Sequence, residues 1–250
     1  MNKIVAIIFS VAIIVAAFFL AQGYSSRGEE AGVISVTGLG SVEFQSDEII
    51  WEGTFEKNSD ELSSGFDKIR ADRAIIENYL INRGLESSEF SFSQISTDEN
   101  YRTIYNAQGN YQGNEFKDYS LRQSFKISSK KLDLVEQLAR EISELLNEGV
   151  NITSYNPKYY YSELDELKID LIEKASENGR LRAEQIASNG GAEIAGLKDA
   201  RLGVFQILGK NSAEDYSWGG TFNTSSRMKE ANITVKMDYE VEWTALTKYK

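Results

Sequence analysis

The chain has no cysteine, no histidine and one proline among its 250 residues. Without cysteine there is no disulfide bond, thiolate nucleophile or sulfur ligand for a metal. Without histidine the Ser-His-Asp and Cys-His triads and histidine-ligated metals are excluded, as is the side chain best suited to proton transfer near neutral pH. We therefore expect a protein that is not an enzyme and that holds no cofactor and no metal.

Basic residues are also scarce relative to acidic ones. The chain carries 38 Asp and Glu against 27 Lys and Arg, which gives a formal net charge of −11. Nucleic-acid binding depends on clustered Lys and Arg that contact phosphates, so we expect no nucleic-acid partner. The length and the 41% of hydrophobic residues suffice for one large domain or two small ones.

The one long apolar run lies at the N-terminus, from Ile4 to Ala21, and only Ser10 interrupts it. As a helix this run would measure about 27 Å, which just reaches the length of a membrane span. Ala21-Gln22-Gly23 offers small residues for signal-peptide cleavage before Tyr24. Residues 1–23 are therefore either a retained anchor, which contacts the membrane through residues 4–21, or a removed signal peptide. Both alternatives predict export, to an anchored or a periplasmic location.

The remaining residues divide into a short polar linker, 24–32, and a domain, 33–250, in which subdomains 33–128 and 129–250 remain an option. Hydrophobic spacing predicts an α+β fold, mainly antiparallel sheets backed by three helices and preceded by the N-terminal hydrophobic helix. The clearest strand alternates apolar and polar residues from Ala231 to Ala245.

The boundaries of the elements follow from capping and turn residues. Asn58 and Glu61 predict a capping box for the first of the three helices, and Gly84 its end. The second helix is predicted from Leu132 to Asn147 and the third from Glu163 to Ser188. A stripe of small residues on the third predicts a closely approaching neighbour; its members are Ala175, Gly179, Ala183 and Ala187.

Three loop or edge features complete the prediction. Gly38-Leu39-Gly40 predicts a turn after the first strand, and residues 98–117 a long hairpin tip. Pro157 cannot donate to a strand ladder, so it predicts an edge strand or a bulge between Val150 and Tyr161.

Tyrosine is concentrated around the hairpin tip and in the segment near Pro157. These side chains combine a large apolar face with one polar group, which suits a subunit interface or a ligand surface, although ordinary packing also explains them. The candidate surface residues are Tyr101, Tyr105, Tyr111, Tyr155, Tyr159 and Tyr161.

Two other patterns are weaker. Ser128 and Lys131 have the Ser-x-x-Lys spacing of some serine acyl enzymes, but their position before a helix favours a capping role for Ser128 or Ser129. Acidic pairs and triplets could serve a carboxylate-based hydrolase or a metal, although acids early in a helix also offset its dipole. The densest acidic groups are Asp47-Glu48, Asp98-Glu99 and Glu163-Asp165-Glu166.

Short motifs spread over residues 33–244 resemble the SIMPL-domain family of exported envelope proteins. The matching segments are Ile34-Ser-Val36-Thr-Gly38-x-Gly40, Ser46-Asp47, Gly84-Leu85, Ile95-Ser96-Thr97, the alanines Ala175, Ala183 and Ala187, and Ile233-Thr-Val235. Ser46 departs from the family, which usually has proline there. The resemblance implies an α+β fold, export and assembly into rings or larger oligomers, with stress tolerance among the roles of some members, and it implies no established catalytic residues.

The sequence therefore predicts a non-enzymatic, oligomerising cell-envelope protein that acts as a scaffold or in stress protection, with a second copy of itself as partner. One alternative is a binding module for an unknown small ligand that uses the tyrosine-rich hairpin and the loop 209–229. A carboxylate-based hydrolase is the other alternative.

Overall fold

The computed structural model describes residues 3–25 and 32–243. The first helix, α1, spans Lys3–Ser25. Within the described ranges, no helix combines the length and the apolar character that crossing a membrane requires. Most of the predicted linker lies outside the described residues.

The fold is α+β, as predicted, with antiparallel strand pairs and three further helices after α1. The strands are β1 (Gly32–Gln45), β2 (Glu48–Ser59), β3 (Phe90–Phe92), β4 (Ser96–Tyr105), β5 (Tyr111–Ser129), β6 (Asn151–Ser154), β7 (Lys158–Tyr160), β8 (Ala192–Leu202), β9 (Gln206–Gly209) and β10 (Met228–Trp243). The helices are α2 (Leu62–Asn82), α3 (Leu132–Glu141) and α4 (Leu164–Asn189), and a 3₁₀ helix, Ile142–Glu148, continues α3.

The strands form two sheets. One has the order β1-β10-β8, and β9 also pairs with β10. The other has the order β3-β5-β2-β6, with β4 added to β5 and β7 to β2.

The chain divides into two compact units that do not follow sequence order. The first contains residues 1–41, 170–204 and 233–250, and the second contains 42–169 and 205–232. The division considered at residue 128 falls inside the second unit.

In the first unit, β1 runs straight through Gly38 and Gly40, so the predicted turn is wrong. A Cβ atom on Gly38 would lie 1.9 Å from the carbonyl oxygen of Ala175, and one on Gly40 would lie 2.2 Å from that of Leu171. The two glycines are therefore needed for the close approach of β1 to α4. Ala175 and Ala183 on α4 are fully buried, which confirms the predicted role of the small-residue stripe.

In the second unit, β2 lies at the centre of its sheet and carries the core. Trp51 and Phe55 of β2 are buried together with Phe125 of β5, and the Trp51 and Phe125 rings meet edge to face at 5.2 Å. The inward faces of α2 and α3 pack against them. β6 and β7, on either side of Pro157, pair only with β2 among the described strands, which confirms the edge position that the proline predicted.

The ends of α2 were predicted with mixed success. Asn58 lies inside β2, opposite Ser120, and Glu61 is the N-cap residue without a side-chain capping bond, so the predicted capping box is wrong. Gly84 ends the helix with a φ of 105°, as predicted. The register of β2 with β5 holds Asn58 in the ladder and leaves it unable to cap.

Candidate interaction surface

A long hairpin of β4 and β5 occupies the segment predicted as a loop tip. Their antiparallel register extends from Ser96 opposite Arg122 to Tyr105 opposite Tyr111. Only residues 106–110 turn, and the Asn106 side chain accepts hydrogen bonds from the backbone N–H groups of Gln108 and Asn110 at 3.0 and 2.9 Å. The long hairpin tip predicted from 98 to 117 is therefore mostly a ladder, closed by a short, hydrogen-bonded turn.

The outer part of the hairpin, residues 100–118, is a two-stranded ribbon. Among the described strands, β4 pairs with β5 alone, and residues 111–118 of β5 pair with β4 alone. Both edges of the ribbon therefore lack a neighbouring strand within the described chain. A free strand edge is able to pair with another chain, and natural proteins commonly block it with charge or proline.

The ribbon is exposed and apolar in part, and its outer end, residues 103–114, is uncharged. Tyr105 and Tyr111 are 61% and 62% exposed, and Tyr101, Ile104 and Phe116 are exposed as well. Residues 103–114 contain no charged side chain, although 26% of the whole chain is charged. The outer end of the ribbon therefore lacks the charges that usually protect an exposed edge, whereas the charged side chains of the ribbon lie nearer its base.

Three aromatic rings continue along one face of the ribbon towards its base. Tyr101 and Phe116 meet edge to face at 6.1 Å, and Phe116 lies 4.9 Å from Tyr119. The Tyr101 hydroxyl donates a 2.5 Å hydrogen bond to Glu99, which raises the pKa of the tyrosine. The row therefore extends the aromatic surface of the ribbon to Tyr119.

An open groove of about 820 Å³ begins where this row ends. It is lined by Tyr119 and Thr97 of the hairpin and by Leu62 and Phe66 of α2. Leu62 and Phe66 follow the helical spacing of the α2 core positions, yet both are exposed. Sequence reasoning missed the contribution of these two residues and of Phe116, because periodicity does not separate the core side of a helix from an apolar flank beside it.

The six candidate tyrosines do not form one surface. Tyr155 is exposed but follows β6, where its backbone N–H donates to the Glu52 carbonyl oxygen at 3.1 Å. Glu52 lies seven residues along β2 from Ser59, the partner of Tyr119, so about 23 Å of strand separates the two places.

Tyr159 and Tyr161 are partly buried and take part in packing. The Tyr159 hydroxyl donates to Glu136 at 3.0 Å. Burial, and to a smaller extent this hydrogen bond, raises the pKa of Tyr159. The Tyr161 ring lies 4.8 Å from that of Phe44, and burial raises its pKa too. The ribbon therefore brings together only Tyr101, Tyr105 and Tyr111.

The Ser-x-x-Lys pair is not brought together. Ser128 donates to Glu48 at 2.7 Å, whereas Lys131 donates to Glu89 at 2.8 Å. Ser129 accepts the Lys131 backbone N–H at 3.0 Å immediately before α3, and the N-cap residue itself is Lys131. Neither Ser128 nor Ser129 is therefore the N-cap residue, so the predicted capping role is wrong, and Ser129 lies two positions before the N-cap.

The acidic groups are also engaged separately. Asp47 accepts from the backbone N–H of Ser162 at 2.8 Å, and Asp165 accepts from Lys168 at 2.8 Å, which lowers the pKa of Asp165. Across residues 3–25 and 32–243, no three acidic side chains converge in a way that could hold a metal ion.

Comparison with known proteins gives one result. The family model SIMPL, described as a protein of unknown function (DUF541), matches residues 34–243. No curated protein matches the chain. The family match covers most of the chain and includes the ribbon.

Proposed function

We propose that the chain, which belongs to the SIMPL family of unknown function, is a non-catalytic, self-associating scaffold of the cell envelope. The observation that carries the proposal is the ribbon, residues 100–118, with its two open edges and its exposed, uncharged outer end. The partner is a second copy of the chain.

Charge supports a second copy as the partner. Two chains of net charge −11 repel each other, and the repulsion is smallest where neither chain carries charge. Residues 103–114 are such a region, and the ribbon as a whole contains both signs, with Arg102 bonded to Glu115 at 2.8 Å.

Strand pairing is needed in addition to side-chain contact. Full burial of one large apolar side chain contributes about 1.5–3 kcal/mol. Association costs about 4–15 kcal/mol in lost translational and rotational freedom, so a few half-covered tyrosines do not suffice. An open strand edge supplies a row of backbone hydrogen bonds, and residues 103–114 present no charge that would prevent pairing.

Light scattering after size exclusion of residues 28–250 tests the proposal. We expect a mass that is a multiple of the monomer mass, and a shift towards the monomer when Tyr105→Ser and Tyr111→Ser are combined. Tyr155→Ser is the matched control, because this tyrosine is similarly exposed but lies outside the ribbon.

A monomer at high concentration would contradict the self-association. The groove at the base of the ribbon would then become the stronger candidate, as a binding site for a small ligand or a peptide. A multimer that persists in the double variant and dissociates in Tyr155→Ser would instead move the interface away from the ribbon.

A further inference from the structure

A buried lysine lies beneath the loop that joins β9 to β10. Lys229 is the second residue of β10, pairs with Gly209 of β9 and is 1% exposed. Its Nζ donates to the backbone oxygen of Asn223 at 2.5 Å and lies 3.3 Å from Oδ1 of the Asn223 side chain. The carbon of that side-chain amide is bonded directly to Oδ1, so the amine lies beside an amide carbonyl.

A carboxylate lies on the other side of the same amide. Glu214 Oε1 accepts a hydrogen bond from Asn223 Nδ2 at 2.5 Å. Glu214 Oε2 is held by the backbone N–H of Gly209 at 3.1 Å and by the Ser212 hydroxyl at 3.3 Å. The amide nitrogen is therefore in contact with a group that can deliver a proton to it.

The amide carbonyl also has a donor of its own. The backbone N–H of Ser226 donates to Asn223 Oδ1 at 2.9 Å. A backbone N–H aimed at a carbonyl oxygen stabilises the negative charge that develops there when a nucleophile attacks the carbon. Asn223 is 5% exposed, so water has little access to the amide.

The protonation states suit an attack by the amine. Burial lowers the pKa of Lys229 to about 8, and the nearby Glu214 partly offsets this effect. Hydrogen bonds lower the pKa of Glu214, and the bond from the Gly209 backbone N–H has the largest effect. The lysine is therefore far closer to its neutral, nucleophilic form near neutral pH than an exposed lysine is, and Glu214 starts as a carboxylate that can accept its proton.

From this geometry we propose that Lys229 and Asn223 become joined by an intramolecular isopeptide bond, with Glu214 as the proton carrier. Lys229 releases one proton to solvent, and its neutral Nζ attacks Cγ of Asn223. Glu214, which contacts Nδ2, then takes a proton from the attacking nitrogen. The bond between Cγ and Nδ2 breaks as Glu214 returns the proton to the leaving nitrogen. Ammonia departs and takes up in water the proton that Lys229 released, which gives ammonium. An amide and an ammonium ion replace an amide and a lysine ammonium, so atoms and charge balance without any oxidant or cofactor.

The product relieves an unfavourable arrangement. A buried ammonium has lost its hydration, and the two hydrogen bonds from Lys229 Nζ to Asn223 replace only part of it. The reaction releases that charge to water as ammonium and leaves a neutral amide. The same bond closes a covalent ring from Asn223 to Lys229, which fixes the end of the loop to β10.

Mass spectrometry of the purified full chain and of its tryptic peptides tests the proposal. We expect a chain lighter than its sequence by one molecule of ammonia, and no cleavage after Lys229. Peptides 211–227 and 228–236 should be recovered as one branched species. An unreacted chain with ordinary cleavage after Lys229, after prolonged incubation at mildly alkaline pH, would overturn the proposal.

Loss of ammonia alone does not establish the bond, because a succinimide at Asn223 has the same mass. A succinimide leaves Lys229 open to trypsin, and that result would also overturn the proposal. Glu214→Gln and Lys229→Arg should both keep the full mass, whereas Lys236→Arg, an exposed lysine on the same strand, should still lose ammonia. The mass and the tryptic peptides of the wild-type chain test the proposal even where a variant fails to fold.

Discussion

At the scale of single residues, Glu89 is the most heavily bonded carboxylate near the start of α3. Its Oε1 accepts from the Ser129 hydroxyl at 2.6 Å, and its Oε2 accepts from Lys131 Nζ at 2.8 Å and from the Glu86 backbone N–H at 2.9 Å. Burial acts to raise its pKa, but the three hydrogen bonds outweigh burial and hold the pKa below its ordinary value. These bonds hold the ionised form in place between β5 and the turn after α2.

We expect Glu89→Gln to lower the free energy of unfolding at pH 7 by about 1–3 kcal/mol, because hydrogen bonds to a charged group are lost. A lowered folded-state pKa stabilises the fold above the unfolded pKa, and this contribution disappears as the pH falls through the folded value. The difference between wild type and variant should therefore shrink as the pH falls below about 4.5. Urea unfolding at several pH values measures it.

Glu86→Gln is the control for this prediction. The Glu86 side chain is 74% exposed and lies 3.7 Å from Lys131, and exposed ion pairs contribute little. A loss of stability in Glu89→Gln that stayed constant down to pH 3 would show that the carboxylate charge has no part in the stabilisation.

At the scale of elements, the contact of β1 with α4 explains the glycine pair that predicted a turn. Gly38 and Gly40 are separated by one residue, a spacing that is common in turns. In an extended strand, two residues with this spacing lie on the same face of the strand. On α4, the small residues four apart form the matching face. The two patterns belong to one contact, and neither segment taken alone reveals it.

Gly38→Ala should destabilise the protein by about 1–3 kcal/mol, the usual cost of overpacking. Both nearest atoms to the new Cβ are backbone atoms, the Ala175 oxygen at 1.9 Å and the Gly179 nitrogen at 2.7 Å, so no side chain can move aside. Thermal or urea unfolding measures the change.

Gly196→Ala in β8 of the same unit is the matched control, because a Cβ there would meet nothing within 4 Å. We expect it to leave stability unchanged or slightly raised, since alanine reduces the freedom of the unfolded chain. Equal losses in both variants would argue against close packing as the cause.

At the scale of the whole molecule, the net charge of −11 opposes the self-association that we propose. The outer end of the ribbon, residues 103–114, is uncharged, so the repulsion comes from the rest of the chain and acts over longer distances. Salt screens such interactions, with a screening length of about 10 Å at 0.1 M.

The association constant should therefore rise as sodium chloride increases from about 0.02 M to about 0.5 M. Sedimentation or light scattering over a range of concentrations measures it. A contact built from ion pairs would weaken over the same range, so a fall in association would contradict a ribbon interface. Tyr155→Ser should follow the wild-type salt dependence.

The elements that sequence periodicity predicted well are those with one strongly buried face. α4 and β10 were placed within a few residues, because their buried positions recur at helical or alternating spacing. Most of β4 was predicted as part of a hairpin tip. A strand was predicted from Arg201 to Leu208, which overlaps only the last two residues of β8. Each of these two strands has at most one fully buried residue, so burial leaves no alternation in its sequence.

By itself, the sequence determined that the chain has no disulfide bond, no thiolate nucleophile and no histidine-dependent site, because cysteine and histidine are absent. It also determined the α+β class and the family. Only the tertiary structure decided which tyrosines share the ribbon, why Gly38 and Gly40 are glycines, and that Lys229, Asn223 and Glu214 meet. The physical reason is that burial of one face of a helix or strand makes apolar residues recur at a regular spacing in the sequence. A contact within an irregular loop, or between two separate segments, depends on strand register and packing, which leave no such period.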